Sequence, residues 1–283
     1  MDQLCVHRTM TLFDWIEAAS GLGVDGLEMY AGFFAGFDEP YLRQVRTALE
    51  GHGFAMPMFC FSPDFTHPDA EFRRREVERQ RQMVAVTAFL GGDSCRVLSG
   101  QRRPEVGLEQ GLGYVQEAIE TLLPFAEQHR VRLVIENHYK DNYWTFPEFA
   151  QKQEVFCALV DRIQSPWFGV QYDPSNAILA GDDPLQLLQR VKHRVLTMHA
   201  SDRFLLPGHS LDELRSMENQ EGYASILSHG VVGRGLNDYN AIFSTLAEVG
   251  YRGWISIEDG MNGLDEIRQS AVFLRQKIGQ YLE

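Results

Sequence analysis

The chain has 283 residues, 44% hydrophobic and 23% charged, with a formal net charge of -13. That length and composition suit one α/β barrel with a sizeable core and leave no room for a disordered or minimal-domain reading. The acidic balance repels phosphodiester backbones and argues against a nucleic-acid partner, the apolar stretches are too short to span a membrane, and Met1 to Met10 lacks a secretion signal, so the expected setting is the cytoplasm.

In chain order, short apolar runs alternate with longer amphipathic stretches, as βα units around a parallel sheet require. Eight runs read as strands: Leu4 to His7, Gly26 to Met29, Ala55 to Cys60, Ser94 to Leu98, Arg132 to Glu136, Phe168 to Asp173, Val195 to His199 and Trp254 to Glu258. Their hydrophobicity is continuous rather than alternating, which suits strands covered on both faces. The pattern predicts a single-domain (β/α)8 TIM barrel over residues 1–283.

Helix punctuation falls between these runs. Thr11 and Asp14 make a capping box, and Asp38 with Pro40 starts a helix whose Leu42, Val45 and Leu49 share one face before Gly51 and Gly53 end it. Pro147 is expected to open another helix, Asp183 with Pro184 a further one, and Asp238 to cap the helix before the last strand. Arg73, Arg74, Arg75, Arg79 and Arg81 interleave with Glu71, Glu76 and Glu78, the spacing of a solvated, ion-paired helix face. Cys5, Cys60, Cys95 and Cys157 have no CxxC spacing and read as free, partly buried thiols. Ser201 to Asn237 is a long connection of the kind that builds or covers an active site. An open doubly wound sheet would want a glycine-rich phosphate turn, and the chain has no GxGxxG or Walker sequence.

Four strand runs end in a residue that can ligate a metal: Glu136, Asp173, His199 and Glu258. In a barrel these ends meet at one mouth, where three carboxylates and an imidazole would crowd together at high cost without a cation. Singly, each has a plainer explanation: His199 as a hydrogen-bonded core residue, Glu136 or Glu258 as a charge at a loop mouth. Together they favour one divalent metal ion, with oxygen-rich, single-histidine coordination suiting Mn2+ first and Mg2+ or Co2+ as alternatives.

These residues carry a resemblance. Ile135-Glu136-Asn137, Asp173, His199 and Gly253-Trp254-Ile255-Ser256-Ile257-Glu258 resemble the xylose isomerase-like barrels, which include sugar epimerases of the tagatose/psicose type, inosose-handling enzymes and endonuclease IV. The resemblance covers essentially the whole chain. It implies that Glu136 and Glu258 both hold the metal and exchange a substrate proton, with Asp173 and His199 as the other ligands. A metal on the carbonyl and adjacent hydroxyl of a ketose would stabilise the enediolate, and two glutamates on opposite faces would remove and return the proton. Isomerisation, epimerisation and β-elimination share that step.

The chain departs from the family three residues past Asp173, where many members have a histidine and this one has Asn176, a hydrogen-bond donor that cannot act as an acid. The endonuclease branch needs that histidine and an Asp-x-His pair after the seventh strand, which are absent. Arg203 resembles an arginine that epimerases use on substrate oxygens, and Asp202 is placed to orient His199. Beside Asn176 and Arg203, the substrate candidates are His138 and Trp144 in the loop after Glu136, with Lys140 between them, then Glu28 and His7 at the ends of the first strands. Each also has a structural reading, as an exposed polar loop residue, a surface charge or a buried hydrogen-bonding group.

The leading expectation is a metal-dependent isomerase or epimerase on a small carbohydrate. The alternative is a lyase or dehydratase acting on a keto-inositol, dehydroshikimate or 3-keto-glycoside, for which His138 or His229 could protonate the leaving group. A silent sugar-binding barrel is disfavoured by the intact ligand set, and a phosphorylated substrate by the lack of clustered Lys and Arg. Phe33, Phe34, Phe37 and Phe61 could roof the site or form a homo-oligomer interface.

Overall fold

A computed structural model describes residues 2–216, 225–258 and 263–283. Its main sheet has seven parallel strands: β1 (Met29–Tyr30), β2 (Met58–Cys60), β3 (Ser94–Val97), β4 (Arg132–Glu136), β5 (Phe168–Tyr172), β6 (Val195–Ala200) and, after the short hairpin β7 (Arg203–Leu205) and β8 (Leu227–His229), β9 (Trp254–Ile257). The sheet runs β1-β2-β3-β4-β5-β6-β9 without a crossover. The order follows from right-handed connections through helices, and it puts every strand's C-terminal end at the same mouth.

The continuous apolar runs become buried wall. Every residue of β2, β3 and β5 is buried, and Phe59, Val97, Ile135, Val170 and Met198 share one core with helix residues Ile16, Val45, Val84, Ile119, Leu188 and Ile242. The helix starts are mostly those expected. Thr11 and Asp14 close a reciprocal capping box, and Asp38, Asp183 and Asp238 each accept a backbone N–H in the first turn they cap. The arginine-rich helix Ala70–Phe89 carries ion pairs from Glu71 to Arg74 and Arg75, Glu76 to Arg79, and Glu78 to Arg81. Cys60, Cys95 and Cys157 are buried free thiols.

Two expectations fail. Leu4 to His7 does not form a strand: Asp2–Val6 is a π-helical turn, and the chain reverses after it at Arg8, whose φ is 49°. The backbone groups of so short a run can be satisfied locally, here by Thr9 and Met10 N–H donating to the Gln3 carbonyl, and four residues carry no periodicity to tell the two outcomes apart. Among the described residues β1 and β9 therefore share no ladder. The sheet curls until side chains link them: the Ser256 hydroxyl donates to Glu28, and the Trp254 ring lies 3.3 Å from where a Cβ on Gly26 would stand. Pro147 opens no helix either. Its carbonyl accepts from Arg102 N–H, Glu148 bridges to Gln101, and the helix begins at Gln153, because loop-to-loop bonding across the mouth takes those backbone groups first.

The long connection from Ser201 contains the β7–β8 hairpin and the helix Leu211–Ser216; residues 217–224 lie outside the described part. Among the described residues no helix is long and apolar enough to cross a membrane.

Candidate metal centre

The ends of β4, β5, β6 and β9 bring together Glu136, Asp173, His199 and Glu258, whose potential ligand atoms all lie within 4.8 Å of one another. Glu136, Asp173 and His199 are buried, while the Glu258 side chain keeps 48% of its surface exposed. Parallel register is what aligns them, since Glu136 pairs with Gln171 two residues before Asp173, and His199 pairs with Ser256 two before Glu258.

Each ligand candidate is held from behind. One oxygen of Asp173 accepts from Ser175 and Asn176 N–H at 2.7 and 3.0 Å, capping the helix Pro174–Leu179, and from the Ser201 hydroxyl at 2.9 Å. The strands on either side are locked by Asn137, which donates to the Asp173 carbonyl and accepts from Asp173 N–H. His199 Nε2 lies 2.8 Å from Glu28 and also against the Gln171 amide, while Nδ1 lies 3.2 Å from Glu136 and 3.1 Å from Glu258. A proton on Nε2 donated to Glu28 leaves the Nδ1 lone pair facing the carboxylates, which makes Nδ1 the candidate ligand atom.

Electrostatics gives the test of fit. Burial and the charges of Glu258 and Glu136 push the Asp173 carboxyl up to about 8. His199 sits well above its ordinary value because Glu258, Glu28 and Glu136 outweigh its burial. Burial works against ionising Glu136 and Glu258, yet the charges of Arg96 and His199 hold Glu136 low, and His199 holds Glu258 low. The cluster thus balances its acids by retaining protons on His199 and Asp173, the positions a divalent cation would relieve. Three carboxylates and one imidazole with a fixed tautomer fit a hard or borderline divalent ion.

The other candidates are placed as follows. Asn176 is buried and donates to Glu136 at 3.2 Å. Glu28 touches His199, and so stands behind the ligand rather than at an open substrate position. Arg203 is buried at the start of β7, close enough for its charge to act on Asp173. His138 is largely buried with Nδ1 3.4 Å from Glu148, whose other oxygen accepts from Ser99 N–H. Trp144 is half-buried in the loop beyond, with Lys140 partly exposed nearby. His7 is exposed on the N-terminal segment and does not belong to the cluster. Asp202 does not orient His199; it accepts N–H bonds from Arg203, Gly233, Gly235 and Asn237 and so ties the long connection down.

Sequence reading missed four residues here. Arg96, buried on β3, donates to Glu136 at 2.7 Å and to Ser62 at 3.2 Å. Its signal was available as a lone arginine inside an apolar strand run. Gln171 offered a similar mid-strand polar signal, whereas nothing in the sequence singles out Ser62 or links Cys60 to Glu28 and His199, with which it forms a second potential donor group.

The fold and this site define an α/β barrel, seven of whose parallel strands are present among the described residues, with a candidate metal centre at its C-terminal mouth. The chain belongs to the xylose isomerase-like TIM barrel family, which it matches over residues 16–277. Among curated proteins it is similar to inosose dehydratase of Geobacillus kaustophilus, at 34% identity over 89 residues, 31% of this chain and 28% of that one. The chain covers between 28% and 56% of the length of the curated relatives it matches. A solved D-tagatose 3-epimerase-like protein superposes with a TM-score of 0.77 at 16% identity, covering 96% of this chain and 94% of that one. The IolI protein with a bound zinc atom gives 0.77 at 14% identity, covering 99% and 97%. This is an enzyme family with both epimerase and dehydratase members.

Proposed function

We propose that the protein is a divalent-metal-dependent isomerase or epimerase acting on a ketose or keto-sugar through an enediolate. The observation that supports it is the convergence of Glu136, Asp173, His199 and Glu258 on one point at four strand ends. Bound there, a divalent ion (Mn2+ in this reading, with Mg2+ or Co2+ as alternatives, or zinc as in IolI) would polarise the substrate carbonyl and neighbouring hydroxyl. Glu258, half exposed, takes the proton from the substrate carbon. Glu136, fixed by Arg96 and Asn176, enters this step protonated and delivers its own proton to the opposite face, while the proton taken up by Glu258 passes to solvent at its exposed side. Asn176 and Arg203 orient substrate oxygens, and the loop of His138 and Trp144 screens the reacting carbon from water.

A lyase outcome has its own support in His138, two residues from Glu136 and held by Glu148, which can protonate a departing hydroxyl or alkoxide, and in the dehydratase relative. The deciding experiment incubates metal-loaded protein in D2O with ketohexoses, keto-inositols and 3-keto-glycosides, with chelator controls. Metal-dependent deuterium entry with an intact skeleton and a changed stereocentre or carbonyl position is the expected result. Loss of water or of an aglycone transfers the protein to the lyases, and no exchange under any loading overturns both readings.

A further inference from the structure

We infer that the sugar substrate carries a second ring, an aryl aglycone or another sugar, which lodges in an aromatic cavity beside the metal centre. This rests on the proposed reading that the four-ligand cluster acts on a keto-sugar. The cavity measures about 430 Å3 and lies where the loops after β1, β2 and β4 meet; Tyr30, Phe37, Phe61, Tyr143 and Trp144 line it together with the polar side chains of Ser62, Arg79, Gln82 and Asp141. None of the four ligand candidates lines it. It nevertheless lies next to them, one guanidinium away: Ser62 lines the cavity and accepts from Arg96 at 3.2 Å, and the same guanidinium donates to Glu136 at 2.7 Å. In this inference a substituent on a sugar bound at the cluster extends past Arg96 towards the aromatic lining.

The chemistry of the wall selects the occupant. Sugar hydroxyls at a reacting centre need converging polar groups, and the cluster supplies them; the cavity instead sets aromatic rings, edged by Arg79, Gln82 and Asp141, against an aryl ring or the C–H face and rim hydroxyls of a pyranose. Much of this wall is fixed before a ligand arrives. Phe37 stacks on Phe34 at 5.6 Å between centroids, and both pack against buried Phe59. Arg79 lies 5.2 Å over the Phe61 ring while paired with Glu76 at 2.8 Å. The opposite wall is left open to water, with Tyr143 68% exposed and Trp144 half-buried, although the core of the fold does not require either ring there. The volume accommodates one ring in addition to the sugar at the metal.

Titration calorimetry with the purified protein, using methyl β-D-glucopyranoside, phenyl β-D-glucopyranoside and cellobiose as probes, tests this. The phenyl glycoside or cellobiose is expected to bind about tenfold more tightly than the methyl glycoside, the scale of one aromatic contact made in a desolvated pocket. A phenyl preference identifies an aryl aglycone and a cellobiose preference a second sugar. Trp144→Ala should erase the difference. Tyr143→Ala, at an exposed position where folding is not at stake, should reduce it severalfold. Equal affinity for all three probes, including no detectable binding of any, or a preference that survives both substitutions, overturns the inference. The titrations use the metal-loaded protein, and because they read binding without turnover, their failure is separable from failure of the deuterium-exchange test.

Discussion

The two ends of the barrel handle charge in opposite ways. At the base, the charges around the strand starts are paired in contact with water: Arg132 with Asp93 at 2.8 Å and Lys192 with Glu248 at 3.0 Å, on opposite-sign partners. At the mouth, Glu28, Glu136, Asp173 and Glu258 crowd one buried histidine, with Glu136 and Asp173 buried beside it. Exposed pairs are worth little and are easily replaced, whereas like charges held together out of water raise the free energy of the fold. That difference locates the chemistry more surely than cavity size does, for the base also has a cavity of about 340 Å3.

The sharpest way to break the comparison is Glu136→Gln. If the mouth is a proton-transfer site, deuterium exchange should fall by about a hundredfold to ten-thousandfold while the circular dichroism spectrum is unchanged. Glu28→Gln comes next. Losing the carboxylate that fixes His199 should weaken metal binding about tenfold to a hundredfold, measured by competition with a chromogenic chelator, although Glu28 stands behind the ligand.

The pH dependence follows from the sign of the shifts. Asp173 and His199 hold protons in the metal-free protein and must release them to ligate, so affinity should climb as pH rises through about 8, where Asp173 loses its proton. Proton release on metal addition, seen as buffer-dependent calorimetric heat, checks this; affinity flat between pH 6 and 9 would contradict it (roughly the window around that value). The smallest effect belongs to the base. Arg132→Ala should cost below about 1 kcal/mol in chemical denaturation and leave metal affinity unchanged.

Much of this was legible in the sequence, for identifiable reasons. Strands such as Arg132–Glu136 were bounded correctly because a strand buried on both faces must be apolar throughout, and the carboxylate that breaks the run marks the mouth. The same break recurs at Asp173, His199 and Glu258, so the four groups that meet at the mouth could each be picked out from the sequence. The first strand was misread because Leu4 to His7 is too short to choose between a sheet edge and a local turn. Pro147 misled because the pull of Gln101 and Gly100 on its neighbours acts between loops distant in sequence.

Alone, the sequence determined the barrel class and the identity of the groups that end the strands, because burial and backbone periodicity are imposed residue by residue along the chain. Tertiary structure alone decided which nitrogen of His199 faces the cluster, that Glu28 stands behind it, that Arg96 steadies Glu136, and that Asp202 anchors the long connection instead. Those outcomes depend on distances between side chains on different strands, which register and curvature set and no local pattern encodes.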